Sequence, residues 1–256
     1  MKLKMNWLYP RHCPLCDTLL GKEEPLVCRQ CGKNVPLIRG PVCMRCGRPL
    51  RPSSGYGQTG HPVPVSGLQI PDDMNAPEYC ADCRQRKHRI EEGIAPFAYS
   101  REVQMSVLRL KYGGRAEYAG FYAAAIWRTG ASRIRSWDPD VIIPVPVHIK
   151  RELKRGYNQA EEIAEALSKL TGIPVRQPVQ RVKQTRPQKG LSPSERLRNV
   201  RGAFLVPGGQ IMWRKILIVD DIYTTGSTLD EMAAVLAGAG GRRFWSACAS
   251  VSPGPV

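Results

Sequence analysis

The sequence predicts an α/β protein, a parallel sheet flanked by helices, behind a small cysteine-rich N-terminal module. Three observations lead there. Four Cys-x-x-Cys pairs fall within the first 83 residues, and from about residue 94 strand-like runs alternate with amphipathic stretches. Ile216-Leu-Ile-Val219 is a continuous apolar run, as in a parallel strand covered on both faces. At 256 residues and 42% hydrophobic, the chain has material for one large domain, or for one domain and a smaller module. No apolar run approaches the ~20 residues of a membrane span. The opening MKLKMNWLYPRHC is basic, but Asn6 and Pro10 interrupt it before a signal-peptide core forms. A cytoplasmic location is expected.

The cysteine pairs are Cys13/Cys16, Cys28/Cys31, Cys43/Cys46 and Cys80/Cys83. In the cytoplasm disulfides do not persist, which leaves metal or redox chemistry for this pattern. One pair would read as a redox motif, whereas four, with no strand and helix pattern around them, read as structural zinc. Each pair forms a knuckle that points two sulfurs at one ion, and two knuckles complete a tetrahedron. An internal repeat bears on the pairing. Cys13-Pro-Leu-Cys16-Asp-Thr-Leu-Leu20 echoes Cys43-Met-Arg-Cys46-Gly-Arg-Pro-Leu50, and Leu26-Val-Cys28-Arg-Gln-Cys31 echoes Glu78-Tyr-Cys80-Ala-Asp-Cys83. This favours two sequential ribbons, Cys13/Cys16/Cys28/Cys31 and Cys43/Cys46/Cys80/Cys83, over a crossed pairing of the first knuckle with the third. The second repeat carries an insertion, residues 51–79, rich in Pro, Gly and Ser and read as a mobile loop, with His61 a bystander in it. Zinc held by four sulfurs has no open position, so this module is expected to be structural. Residues 84–92 form a charged hinge, giving a double zinc ribbon over 1–92 and a second domain over 93–256.

In the second domain, residues 101–111 and 117–129 read as amphipathic helices, the first carrying Val103, Val107, Leu108 and Leu110. Val141 to Val147 reads as a short buried strand closed by prolines. Asn158-Gln-Ala-Glu161 resembles a capping box, opening a helix with Ile163, Leu167 and Leu170 inward and Gly172 as its stop. Leu229, Met232, Val235 and Leu236 line one face of a later helix, and Phe244 to Val251 is a last strand. Cys248 reads as a small core hydrophobe. His12, His88 and His148 have no partners that spacing identifies.

The informative segment follows the 216–219 strand. Asp220-Asp-Ile-Tyr-Thr-Thr-Gly-Ser-Thr228 places two carboxylates and then a hydroxyl-rich turn ahead of a helix. Thr224, Thr225, Gly226, Ser227 and Thr228 can wrap a phosphate with backbone N–H groups and hydroxyls at a helix N-terminus. Asp220 and Asp221, one step earlier, can accept hydrogen bonds from a sugar diol. The alternative is an ordinary strand-to-helix turn whose hydroxyls only cap the helix, but paired carboxylates are more than a cap requires.

This run resembles the phosphoribosyl pyrophosphate (PRPP) motif of type I phosphoribosyltransferases, and the sheet is accordingly expected to be of that type. VPVHIKRELKRGYNQAEEIAEAL (145–167), QTRPQKGLSPSERLRNVRGAF (184–204) and LRLKYGGR (108–115), behind a double zinc ribbon, narrow the resemblance to the ComF-type competence family over nearly the whole chain. That family is associated with natural transformation, in which incoming single-stranded DNA is handled in the cytoplasm. The resemblance implies that Asp220 and Asp221 hold ribose hydroxyls and that residues 224–228 hold the 5′-phosphate, with Mg²⁺ accompanying PRPP. It makes the turn from His148 to Arg155 the pyrophosphate loop, with Lys150, Arg151 and Arg155 as diphosphate partners. Residues 184–199, with Arg186 and Lys189, become a flexible lid. Hypoxanthine-salvage enzymes carry a general-base Asp at the position of Thr224, whose hydroxyl is far too weak a base for that work.

The formal net charge is +16; eight thiolates and two Zn²⁺ would remove four of those charges and leave +12. The excess lies in residues 93–256, with 24 Lys/Arg against 13 Asp/Glu. Such charge serves either solubility or a polyanionic partner. Two functions compete: a PRPP-binding competence factor that handles single-stranded DNA, and an active phosphoribosyltransferase with an unidentified acceptor. A third is a zinc-ribbon adaptor for a partner such as a competence helicase. Tyr112, Tyr157 and Trp213 are candidate stacking platforms for single strands, or else packing residues.

Overall fold

The computed structural model describes residues 10–21, 23–24, 26–50, 78–185 and 193–253. His61 and all but the last two residues of the 51–79 insertion, together with Arg186 and Lys189 of the expected lid, lie outside these residues.

The two ribbon repeats fold alike. In the first, Cys13 N donates to Thr18 O and Asp17 N to Cys13 O; thirty residues later Cys43 N donates to Arg48 O and Gly47 N to Cys43 O, all at 2.8 Å. The residue after each opening knuckle is left-handed, Asp17 at φ 64° and Gly47 at φ 73°, a conformation that Asp and Gly accept at least cost. Gly47 meets a second demand, because a Cβ there would lie 2.7 Å from Ala95 N. The closing knuckles run into short helices, α1 (Arg29–Lys33) and α2 (Ala81–Gln85).

Beyond the ribbons the order is β1 (Glu92–Ile94), β2 (Phe97–Ala98), α3 (Arg101–Tyr112), α4 (Tyr118–Trp137), β3 (Val141–Pro144), α5 (Ile149–Arg155), α6 (Gln159–Thr171), β4 (Gln180–Arg181), α7 (Pro193–Val200), β5 (Phe204–Leu205), β6 (Lys215–Tyr223), α8 (Ser227–Gly238) and β7 (Arg243–Val251). The expected parallel sheet forms, in the order β1-β7-β6-β3 with β2 also beside β7, while β4 and β5 make a separate antiparallel pair. Helices flank it, and among the described residues none is long and apolar enough to cross a membrane.

Side chains of the central strands alternate between two cores, as a pleated strand dictates. Leu217, Val219, Trp245, Ala247 and Ala249 face α3, α4 and α6. Ile216, Ile218, Phe244 and Cys248 face the other way, against Leu229, Met232 and Leu236 of α8 and against Cys43, Cys46 and Cys83. The second cysteine group therefore covers sheet surface that a helix would otherwise cover. Cys248 is buried core, as expected, and burial pushes its thiol up.

Several expectations are corrected. The turn over 148–155 is helix α5, with His148 as its N-cap accepting from Lys150 N at 3.3 Å. The described end of the expected lid is helix α7, packed on α8. Asn158 does cap α6, its side chain accepting from Ala160 N at 3.0 Å, but Glu161 accepts instead from Gln177 Nε2 at 2.5 Å. Leu170 is exposed, because Ala160, Ile163, Ala164 and Leu167 already complete the buried stripe of α6. His88 has a partner, its Nδ1 lying 2.6 Å from Asp230 Oδ2.

Trp245 is fully buried and stacks on Trp137 with ring centroids 5.6 Å apart. Trp245→Ala is expected to cost about 3–5 kcal/mol, measured as a fall in the urea midpoint at unchanged m-value.

Candidate functional site

A cavity of about 710 Å³ opens at the carboxyl ends of β3, β6 and β7. Val145 and Val147 line it from the end of β3, Asp220, Asp221, Ile222, Thr224 and Thr225 from the end of β6 and just beyond, and Ser252 and Pro253 from beyond β7. Parallel strands place their following loops on one edge of the sheet, so residues far apart in sequence converge there.

Asp220 and Asp221 both line the cavity but differ in environment. Asp220 accepts from Asp221 N at 2.8 Å. Burial, and then the charge of Asp221, raise its carboxyl to about 7. The Asp221 carboxylate is 2.8 Å from Lys111 Nζ, an ion pair brought in by α3. The structure therefore gives the pair two roles at this edge, one ion-paired carboxylate and one poised near neutrality.

The turn after β6 is tight. Gly226 adopts φ 77°, and a Cβ there would lie 2.4 Å from Tyr223 Oη, so both backbone and space demand glycine. Thr225 Oγ1 and Ser227 Oγ share a hydrogen bond of 2.9 Å inside the turn. Thr224, Thr225 and Thr228 face the cavity. Gly226 is the N-cap of α8 and no side chain caps the helix, which leaves its positive end toward an anion.

Of the predicted diphosphate partners, Arg151 and Arg155 line the cavity, whereas Lys150 is exposed and is not among its lining residues. The helical turn of α5 separates them, because residues 151 and 155 share one face and 150 does not. Arg155 donates to Gln159 Oε1 at 2.8 Å and to Tyr112 Oη at 2.9 Å, and its guanidinium lies over the Tyr112 ring. Lys111, Arg181 and Arg196 also line the cavity. Sequence reasoning did not single these out: Lys111 lies in the LRLKYGGR segment, but no spacing points it at Asp221, and Arg181 sits in a two-residue strand without a motif. Burial, with Arg151 next, holds the Arg181 guanidinium below its usual value, an arrangement that an anion would relieve. Tyr112 is exposed on this wall, while Tyr157 and Trp213 pack against the cores.

The cysteines form two groups, Cys13/Cys16/Cys28/Cys31 and Cys43/Cys46/Cys80/Cys83, and within each the sulfurs lie within 4.8 Å of one another. This is the sequential pairing that the repeat favours. The Cys16–Cys28 and Cys46–Cys80 sulfurs are each 3.7 Å apart, close to the roughly 3.8 Å edge of a tetrahedron with Zn–S bonds of about 2.3 Å. In the second group, contacts with Cys46, Cys80 and Cys83 lower the Cys43 thiol, while contacts with Cys43 and Cys80 raise the Cys46 and Cys83 thiols. A dication allows all four to ionise together. The donor set fits structural zinc, which with four sulfurs supplies folding energy and no open coordination position.

Asp17 docks the first ribbon on the α/β domain. It accepts from Tyr118 Oη at 2.5 Å and lies 3.3 Å from Arg109 Nε and 3.6 Å from Arg115 Nε. The second ribbon is bound closer to the cavity, through contacts to Thr224, Tyr223 and Asp230.

Ribbons, sheet and site together define a zinc-ribbon protein whose parallel α/β domain ends in a cation-walled cavity. Residues 4–84 match the double zinc ribbon domain family. The chain is 28% identical over 215 residues to competence protein F of Haemophilus influenzae, covering 82% of this chain and 90% of that protein. It is 29% identical over 245 residues to DNA utilization protein YhgH of Salmonella typhi, covering 93% and 97%. With competence protein ComFC of Bacillus subtilis the identity is 27% over 241 residues, covering 88% of each. A solved purine phosphoribosyltransferase from Pyrococcus horikoshii overlaps 52% of this chain and 68% of its own at 22% identity, with a TM-score of 0.31. Over most of its length the chain is thus similar to proteins named for competence and DNA utilization, behind a segment that matches the double zinc ribbon domain.

Two predictions follow from these geometries. Folded Asp220 keeps its proton to about pH 7, whereas the unfolded chain releases it near pH 4. Its contribution to stability is therefore full below about pH 4 and is lost as the pH rises to about 7. Asp220→Asn is expected to raise the Tm at pH 8, with the gain shrinking to nothing near pH 4, in paired thermal melts. For the zinc groups, Cys43→Ser and Cys16→Ser should each leave one zinc per chain by native mass spectrometry. The Tm should fall further for Cys43→Ser, because Cys43 is buried in the sheet core and Cys16 is exposed.

Proposed function

We propose that this chain is a PRPP-binding protein that acts in DNA uptake and use, with the ribbon module over 1–92 and the ligand domain over 93–256. The observation that carries the reading is the convergence, on one sheet edge, of the 224–228 turn at the start of α8, the two aspartates, and a wall of cations from α3, α5 and β4. In this reading the turn holds the 5′-phosphate, Asp220 accepts from the ribose hydroxyls, and Arg151, Arg155 and Arg181 face the diphosphate with Mg²⁺. Guanidiniums suit this task because their forked donors match phosphate oxygens. A role in DNA uptake is supported by relatives named competence protein F, ComFC and DNA utilization protein YhgH. Incoming single strands in the cytoplasm, handed over by a competence helicase, are the polyanion that the net positive charge, +16 formally and +12 with both zinc centres filled, would attract.

A second reading, transfer of ribose 5-phosphate to a base or amine, is favoured by one feature. Tyr99, Leu108 and Tyr112 form an apolar wall beside the aspartates, with room for an acceptor ring. Release of pyrophosphate from PRPP with a panel of nucleobases and amines would select it over binding alone.

Calorimetry with PRPP and Mg²⁺ on the wild type and on Thr225→Ala tests the ligand. Affinity is expected to fall by about tenfold or more in the variant, the loss of one charge-assisted hydrogen bond of about 1.5–3 kcal/mol. Equal heats from both proteins would remove the 224–228 turn from the site. Retention of single-stranded DNA that weakens steeply between 50 and 200 mM salt is the expected signature of the second ligand.

A further inference from the structure

Arg48 occupies a position at which the internal repeat provides its own comparison. In the first ribbon the equivalent residue is Thr18, whose hydroxyl lies 3.0 Å from Cys16 Sγ. In the second ribbon Arg48 donates from Nη1 to Cys80 Sγ at 3.5 Å. Both side chains thus serve a ligand sulfur of their own ribbon, and a threonine suffices for that. Arginine has donors left over, and they reach the other domain. Arg48 Nη2 donates to Thr224 O and Nε to Ser252 O, each at 3.1 Å, across 176 and 204 residues of sequence. Thr224 and Ser252 both line the cavity. Asp82, from α2, lies 3.8 Å from Nη1 and supplies a further negative charge. The side chain is buried, so these contacts do not compete freely with solvent.

Zinc held by four thiolates carries a net charge of −2, and a buried guanidinium beside it is held by that charge. The same planar fork then has its remaining N–H groups aimed at the carbonyl of Thr224, which begins the phosphate turn, and at the carbonyl of Ser252, just past β7. Other contacts reinforce the weld. Tyr223 Oη is 3.9 Å from Cys83 Sγ, and Asp230, one turn into α8, accepts from Arg89 N at 2.9 Å.

We propose that Arg48 is a positioning residue that couples the second zinc centre to the ligand turn, so that zinc occupancy at Cys43/Cys46/Cys80/Cys83 and ligand binding in the cavity support each other, while the first zinc centre stands outside this coupling. The ligand half rests on the reading of the cavity as a PRPP site; the link from zinc centre to turn does not. Coupling of this kind is reciprocal: whatever zinc does for ligand affinity, ligand does for zinc affinity.

The test uses the full chain and three variants: Arg48→Gln, Arg48→Lys, and Thr18→Val as the control at the equivalent position. Native mass spectrometry counts the zinc, and amide hydrogen exchange reports Thr225 to Thr228 without any ligand. Arg48→Gln is expected to keep two zinc ions and to exchange at the turn about tenfold faster, in the range usual for couplings between sites. Thr18→Val should leave the turn unchanged. Arg48→Lys, which keeps the charge but not the fork, should fall between. With PRPP and Mg²⁺, affinity should drop about tenfold in Arg48→Gln, and PRPP should slow transfer of one zinc of the two to a chromophoric chelator in the wild type but not in this variant. Unchanged exchange at Thr225 to Thr228 in Arg48→Gln would overturn the coupling, as would a rise spread evenly over the sheet in both Arg48 variants. A wild-type chain that fails to bind PRPP would count against the ligand assignment alone, since the exchange measurement still decides the link.

Discussion

Two carboxylates on neighbouring residues at the end of a buried strand repel each other, and much of the surrounding structure answers that repulsion. Asp221 is satisfied by Lys111, delivered by a helix more than a hundred residues earlier. Asp220 is left with its neighbour's amide and a carboxyl raised to about 7. Arg181 and Lys111 act in the opposite sense on Asp220, but burial and the charge of Asp221 outweigh them. The cavity thus carries an excess of cations on its walls and a carboxylate pair at its base that cannot both be ionised at low cost. A ligand that brings hydroxyl donors to the base and phosphate oxygens to the walls would answer both imbalances.

The second constraint is coverage. A parallel sheet must be buried on both faces. One face has α3, α4 and α6, but the other has α8 and little else of helical length among the described residues. Cys43, Cys46 and Cys83 complete that layer, which explains why a metal knuckle has become core. The first ribbon has no such duty. It is held by Asp17 at Tyr118, Arg109 and Arg115, polar contacts at the rim of the domain. The repeat is therefore symmetrical in its chain path and asymmetrical in its use.

Much of the fold was legible because its signals are local. The alternating elements, the Asn158 cap, the Gly172 stop and the buried run at 216–219 depend on residues within a few positions of one another. Two elements were misread for the same reason. Residues 149–155 offer only the pair Ile149 and Leu153, both left exposed, and 193–200 are largely polar, so neither announces a helix; α5 forms behind its His148 cap, and α7 packs on α8. At the site, the 220–228 motif could be seen because it is contiguous. Lys111 and Arg181 could not, since each reaches the cavity from a separate element.

By itself the sequence determined the knuckles, favoured their sequential grouping, and gave the main alternation of strands and helices and the run of carboxylates and hydroxyls at the head of α8. These are matters of spacing, and spacing is written along the chain. Only the tertiary structure decided that Lys111 neutralises Asp221, that Lys150 stays outside while Arg181 enters, and that Arg48 joins a zinc knuckle to Thr224. Those pairings follow from which edges a parallel sheet brings together and which faces it must cover, and no local pattern encodes either.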